Sequence, residues 1–118
     1  MSLKSSIESY SKSNGSIITH FESLKCQCGS EQFLLFSDDT EGGAYIVCTR
    51  CQKEHDIENS KRYIESEDHN ICNCDNDKLN IGIGKSFYPE SNDVKCVYVG
   101  ANCNACDLSG VYVDWLER

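Results

Sequence analysis

The chain has 118 residues, 9 of them cysteine, and a formal net charge of −8 from 11 basic and 19 acidic side chains. That length suits one compact domain or two very small ones, and halves of ~50–60 residues bury too little surface to stand without a disulfide, a metal or a partner. The charge argues against a phosphate-binding surface. No apolar run approaches the ~20 residues of a membrane span. Met1–Tyr10 lacks the apolar core of a secretory signal, so the expectation is a cytoplasmic chain with reduced thiols.

In chain order, Leu3, Ile7 and Tyr10 have a helical spacing over 3–13 that ends at Asn14-Gly15. Residues 17–21 either form a short strand or lead into the first cysteine loop. Cys26-Gln27-Cys28-Gly29 makes a tight turn, and 31–36 is apolar enough for a strand. Residues 37–43 read as a turn whose carboxylates Asp38, Asp39 and Glu41 are solvated. A β-prone run at 44–47 enters Cys48-Thr49-Arg50-Cys51, and 53–57 suits a third strand. Residues 58–70 are polar and look like a linker or one short helix carrying Tyr63 and Ile64.

The second half repeats the plan. Cys72-Asn73-Cys74 opens it. Leu79, Ile81, Ile83 and Phe87 alternate along a strand whose other face carries Gly82 and Gly84, where close backbone approach is expected. Residues 89–93 turn the chain, and 94–99 return it to Cys103-Asn104-Ala105-Cys106. Val111, Val113 and Trp115 then alternate onto one face of a closing strand. The spacer between cysteine pairs is residues 29–47 in the first copy and 75–102 in the second, the extra length falling in the hairpin.

Two cysteines one or two residues apart at a sharp turn present two sulfurs, and a β-hairpin brings two such turns together into the four-ligand tetrahedron that structural zinc requires. Cys26, Cys28, Cys48 and Cys51 fit this, as do Cys72, Cys74, Cys103 and Cys106, which implies about two Zn²⁺ per chain. Cys96, left over on a strand, reads as a buried core thiol, with a spare ligand or redox thiol as the sharper alternative. His55 and His69 lie near the two sets and could each replace a cysteine. Gly84-Lys85-Ser86 lacks the earlier glycine and the following helix of a phosphate loop, and the acidic turns lack the pattern of a calcium loop.

On these residues the chain resembles the zinc-ribbon class over about 24–57 and 70–116, with CxC in both first knuckles where that class usually has CxxC. The resemblance implies a small, mostly-β, metal-stabilised fold: a short N-terminal helix and extension (1–23), a first ribbon (24–57), a linker (58–70) and a second ribbon (71–118). The second set also resembles the zinc-thiolate motif of a redox-regulated bacterial holdase chaperone. That resemblance implies that Cys72, Cys74, Cys103 and Cys106 release zinc and form disulfides on oxidation.

A zinc enzyme keeps an open coordination position, and four cysteines per site leave none. No nucleophile–base set stands out either, so no catalysis is expected. The function expected is a zinc-stapled protein–protein interaction module whose acidic surface meets a basic partner protein. Phe33, Phe36, Tyr45, Tyr88, Tyr98, Tyr112 and Trp115 are either its anchors or its core. Alternatives are an immunity or inhibitor protein that neutralises a cationic toxin, a zinc-thiolate redox switch, and a nucleic-acid-binding ribbon using Arg50, Lys53, Lys61 and Arg62, the one basic cluster.

Overall fold

The computed structural model describes residues 2–117. A helix, α1 (Leu3–Ser13), precedes eight strands: β1 (His20–Ser23), β2 (Phe33–Asp38), β3 (Gly43–Cys48), β4 (Glu54–Asp56), β5 (Asp68–Asn70), β6 (Leu79–Phe87), β7 (Val94–Cys103) and β8 (Ser109–Leu116). A 3-10 turn at Lys61–Tyr63 lies between β4 and β5. The fold is mostly β, with every strand pairing antiparallel in one sheet of order β4-β3-β2-β6-β7-β8; β1 adds to β6, and β5 adds to β2. Among the described residues no helix is long and apolar enough to cross a membrane.

Helix α1 starts because Ser2 caps it, its hydroxyl accepting the Ser5 N–H. It stops at Asn14, followed by Gly15 at φ +81°. Its buried residues are Ile7 and Ser11, and the Ser11 hydroxyl accepts the N–H of Ile18, tying the helix to the segment that leads into β1.

The two halves are joined at equivalent places. Phe33 lies seven residues after Cys26, and Leu79 seven after Cys72. Phe33 pairs with Cys48 across the first hairpin and Leu79 with Cys103 across the second, while Phe33 and Leu79 pair with each other. Cys48, Phe33, Leu79 and Cys103 therefore form one row across four strands, spaced ~4.8 Å per step. The Phe33–Leu79 pair sits on an approximate two-fold axis between the halves.

That relation extends to the leading strands, which are exchanged. β1, just before the first cysteines, pairs with β6 of the second half, His20–Ser23 lying against Lys85–Gly82. β5, just before the second cysteines, pairs with β2 of the first half, Asp68–Asn70 lying against Ser37–Leu35. Each half thus supplies a strand to the other's hairpin, and separating them would strip backbone hydrogen bonds from both.

Side chains sort onto two sides of the sheet. The larger core holds Phe33, Leu35, Ile46, Leu79, Ile81 and Ile83 with Val97, Val99, Val113 and Trp115. The opposite side of the second hairpin packs Ile7, Ile18, Cys96 and Tyr98 under α1. Gly82, Gly84 and Gly100 make room there. A Cβ on Gly84 would lie 2.7 Å from an Ile7 methyl, and one on Gly100 2.8 Å from Ile7 Cδ1. The expected close approach at Gly82 and Gly84 is the docking of α1, β1 and the Ile18 segment.

Two expectations are corrected. Val111, Val113 and Trp115 do not share a face: a bulge leaves Tyr112 unpaired, because Val99 faces Val113 while Gly100 faces Val111. Val111 consequently packs on the α1 side and Val113 in the larger core. Asp38 is not a solvated turn carboxylate. It is buried at the end of β2, and its two oxygens accept four backbone N–H groups, from Thr40 and Glu41 within the turn and from Glu65 and Ser66 in the segment before β5. Those four donors, the Glu41 N–H foremost, hold its carboxyl down at about 2. Asp39 and Glu41 are exposed as expected.

Candidate metal centres

Each half carries two cysteine loops built alike. In the CxC loops the N–H of Cys26 donates to the Ser30 carbonyl and that of Gly29 to Cys26, while Cys72 N–H donates to Asn76 and Asp75 N–H to Cys72. In the CxxC loops Cys48 N–H donates to Lys53 and Gln52 N–H to Cys48, while Cys103 N–H donates to Leu108 and Asp107 N–H to Cys103. All four loops place the residue after the second cysteine in the left-handed region: Gly29 at φ +95°, Gln52 at +69°, Asp75 at +73° and Asp107 at +63°. Only one of the four is glycine, so three loops hold that geometry against a steric preference.

The loops bring the eight predicted ligands into two groups of four. Cys26, Cys28, Cys48 and Cys51 form one and Cys72, Cys74, Cys103 and Cys106 the other, every Sγ in a group lying within 4.8 Å of the rest. The closest sulfurs, Cys26–Cys51, Cys28–Cys48, Cys72–Cys106 and Cys74–Cys103, are 3.5 Å apart. This exceeds a disulfide bond of ~2.05 Å and lies near the ~3.8 Å edge of a tetrahedron of sulfurs ~2.3 Å from a central ion. In each group the first cysteine of each loop is buried and the second exposed.

The donors around the sulfurs favour thiolate. The N–H groups of Cys51 and Arg50 point at Cys48 Sγ, at 3.5 and 3.4 Å, and hold its thiol down at about 6. The Asn76 amide reaches Cys103 Sγ at 3.2 Å and is the main cause of a thiol likewise held at about 6. Their neighbours move the other way. The Lys53 N–H lowers Cys51 but the Cys26 sulfur helps push it up to about 11, and the Leu108 N–H lowers Cys106 while Cys72 and Cys74 help push it to about 12. Four sulfurs this close cannot all ionise by themselves, and a central cation removes that conflict. Each group has the donor set and spacing to hold a metal ion.

The remaining sequence candidates lie elsewhere. Cys96 is buried with Ile7, Ile18 and Tyr98 under α1, outside both groups. His69 stacks on Phe36 with its Nε2 3.3 Å from Asp77, and His55 meets Phe33 edge-on; neither histidine belongs to a sulfur group. Phe33, Tyr45, Tyr98 and Trp115 are core, Phe36 and Tyr112 half-buried, and Tyr88 exposed. In the basic cluster Lys61 pairs with Glu54 and lies over the Tyr45 ring, Arg62 lies over Tyr63, and Lys53 donates to Gln27. Asn76 was missed at the sequence level: a polar residue two places after Cys74 gave no sign that it would reach across to Cys103.

Comparison with protein-family models, with curated proteins and with solved structures found no match. What the fold and these sites define is a small, cysteine-rich, mostly-β protein with two tetracysteine groups able to hold metal.

Proposed function

We propose that this chain is a tandem zinc-ribbon protein in which two structural Zn²⁺ ions hold one interlocked β-fold, and that the fold serves protein–protein interaction rather than catalysis. The observation that carries the reading is the convergence of four sulfurs from two loops in each half, with only cysteine in either group. Borderline-soft Zn²⁺ suits four thiolates in a tetrahedron, and four protein ligands leave no open position for a substrate. A tetrathiolate site carries a net −2, so two of them deepen the charge of −8. The resulting field favours a basic partner protein and accelerates its encounter. An immunity or inhibitor protein against a cationic toxin is one form of that role.

The test is metal content per chain on protein purified without added metal. About two zinc ions are expected. Iron in their place, or metal bound without any effect on folding, would sink the reading. Partner capture from the native host, analysed at low and at high salt, then tests the interaction role, with basic proteins released by salt as the expected result.

One observation favours a second reading, a redox switch. Cys28, Cys51, Cys74 and Cys106 are exposed, and each has a partner sulfur at 3.5 Å. Loss of zinc and transfer of two electrons per thiol pair to a peroxide would give disulfides such as Cys26–Cys51. Mass spectrometry of peroxide-treated protein separates the readings. Zinc retained with free thiols supports the structural role alone.

A further inference from the structure

We infer that the cleft between β1 and β4 is a docking site for an extended, basic segment of a partner protein, with one arginine or lysine side chain entering it. The inference rests on the interaction reading above and gives it a place on the molecule. The cleft, about 190 Å³, opens beside the larger core, and its apolar floor comes from Phe33, Ile46, Ile57 and Ile83. That floor suits the methylene stem of a long cationic side chain, which packs along apolar surface while its head stays polar.

The rim supplies the charge. Glu22 comes from β1, Asp56 from β4 and Glu58 from just beyond it, against Lys25 as the one cation among the lining residues. All four are exposed. The rim already holds an ammonium from this chain, for Lys85 of β6 pairs with Glu58. An anionic ligand would meet three carboxylates; Glu58 is already engaged by Lys85 and Asp56 by the Lys61 N–H, so a purely apolar ligand would leave Glu22 unmatched.

Three further features fall on the same place. His55 lines the cleft, and its Nε2 is buried without a hydrogen-bond partner, an exception among buried polar atoms, which are normally paired. Glu58 and Asn59 are consecutive non-glycine residues in the left-handed region, at φ +54° and +56°, a strain that concentrates at ligand clamps. Among the described residues β1 pairs with β6 alone and β4 with β3 alone, so both flanking strands are edges. An extended segment adds to such an edge through its backbone and places alternate side chains in pockets.

The test uses the full, zinc-loaded chain and two capped peptides, Thr-Val-Arg-Val-Thr and Thr-Val-Glu-Val-Thr, followed by methyl NMR of Ile46, Ile57 and Ile83 and by the His55 ring signals. The expected result is saturable shifts at these groups with the arginine peptide and none with the glutamate peptide. Neutralising the rim with Glu22→Gln and Glu58→Gln should weaken binding about tenfold, and added salt should do likewise. Glu22→Gln alone, at an exposed position, should weaken it less with the zinc content and the apo spectrum unchanged. Equal shifts with both peptides, or unaltered affinity in the rim variants, would overturn the inference. Shifts confined to the acidic turn at 38–41 would overturn the cleft but leave a basic partner in place. No shifts anywhere would count against both.

Discussion

On the second hairpin Gly82, Gly84 and Gly100 leave the outer face open for α1, and Ile7 fills the space. On the first hairpin the same face carries Phe36 stacked on Tyr45 at 5.0 Å and on His69 at 4.8 Å, with Lys61 over the Tyr45 ring. There the chain comes close at Gly43, where a Cβ would lie 2.6 Å from the Ser60 carbonyl oxygen. The two regions share loops, register and sulfur geometry and differ in what covers them. The tetracysteine groups and the strand pairings are thus the repeated part of the design. The covering is local, by a docked helix on one side and by cross-strand aromatic pairs on the other.

Removing the metal should break both regions at once. A chelator under reducing conditions is expected to unfold the whole chain, because ligation by thiolates contributes ~10–16 kcal/mol per structural zinc and is lost with the fold. An unchanged far-UV spectrum after complete metal removal would contradict this. Replacing one ligand comes next. Cys48→Ser and Cys103→Ser should each cost more than about 4 kcal/mol and lower the stability of both hairpins together, since the row through Phe33 and Leu79 and the exchanged strands join them. Hydrogen exchange that reports loss in the mutated half alone would break the comparison in favour of independent units.

The coverings should then respond separately. Ile7→Ala is expected to cost ~2–5 kcal/mol and Gly84→Ala ~1–3 kcal/mol, with protection lost first in β6, β7 and β8 and zinc content unchanged. Asp38→Asn should weaken the first region, because two of the four N–H groups held by the carboxylate come from the segment before β5. The sign follows from a pKa lowered to about 2 from 3.8. The carboxylate's contribution is present above 3.8 and is lost as pH falls from there through about 2. The stability gap between wild type and Asp38→Asn should therefore stay constant from pH 8 to 5, and a gap that narrows in that range would contradict the assignment. Smallest of all, His69→Gln should cost about 1 kcal/mol or less, since its pair with Asp77 is surface-exposed.

The sulfur groups were legible because their information is local: two cysteines at a tight turn imply two ligands wherever the turn lies. The hairpins were legible from alternation, as Leu79, Ile81 and Ile83 show. The strand exchange was not. β1 (His-Phe-Glu-Ser) and β5 (Asp-His-Asn) are short and polar, and their pairing is set by the partner strand rather than by any period of their own. Asp38 misled because a carboxylate beside a glycine-rich turn reads as solvated unless donors arrive from a distant segment. The bulge at Tyr112 misled because one inserted residue reverses the faces after it, and no residue type in Val111–Trp115 announces it.

The interlocked pair of metal centres is tested most directly by titrating zinc into the reduced, metal-free chain and counting ions per chain by native mass spectrometry. The account predicts a final count of two, with the one-zinc form scarce throughout because loading either site orders strands that the other needs. A one-zinc form rising to roughly half of the chains at half-saturation, as independent equal sites require, would contradict it.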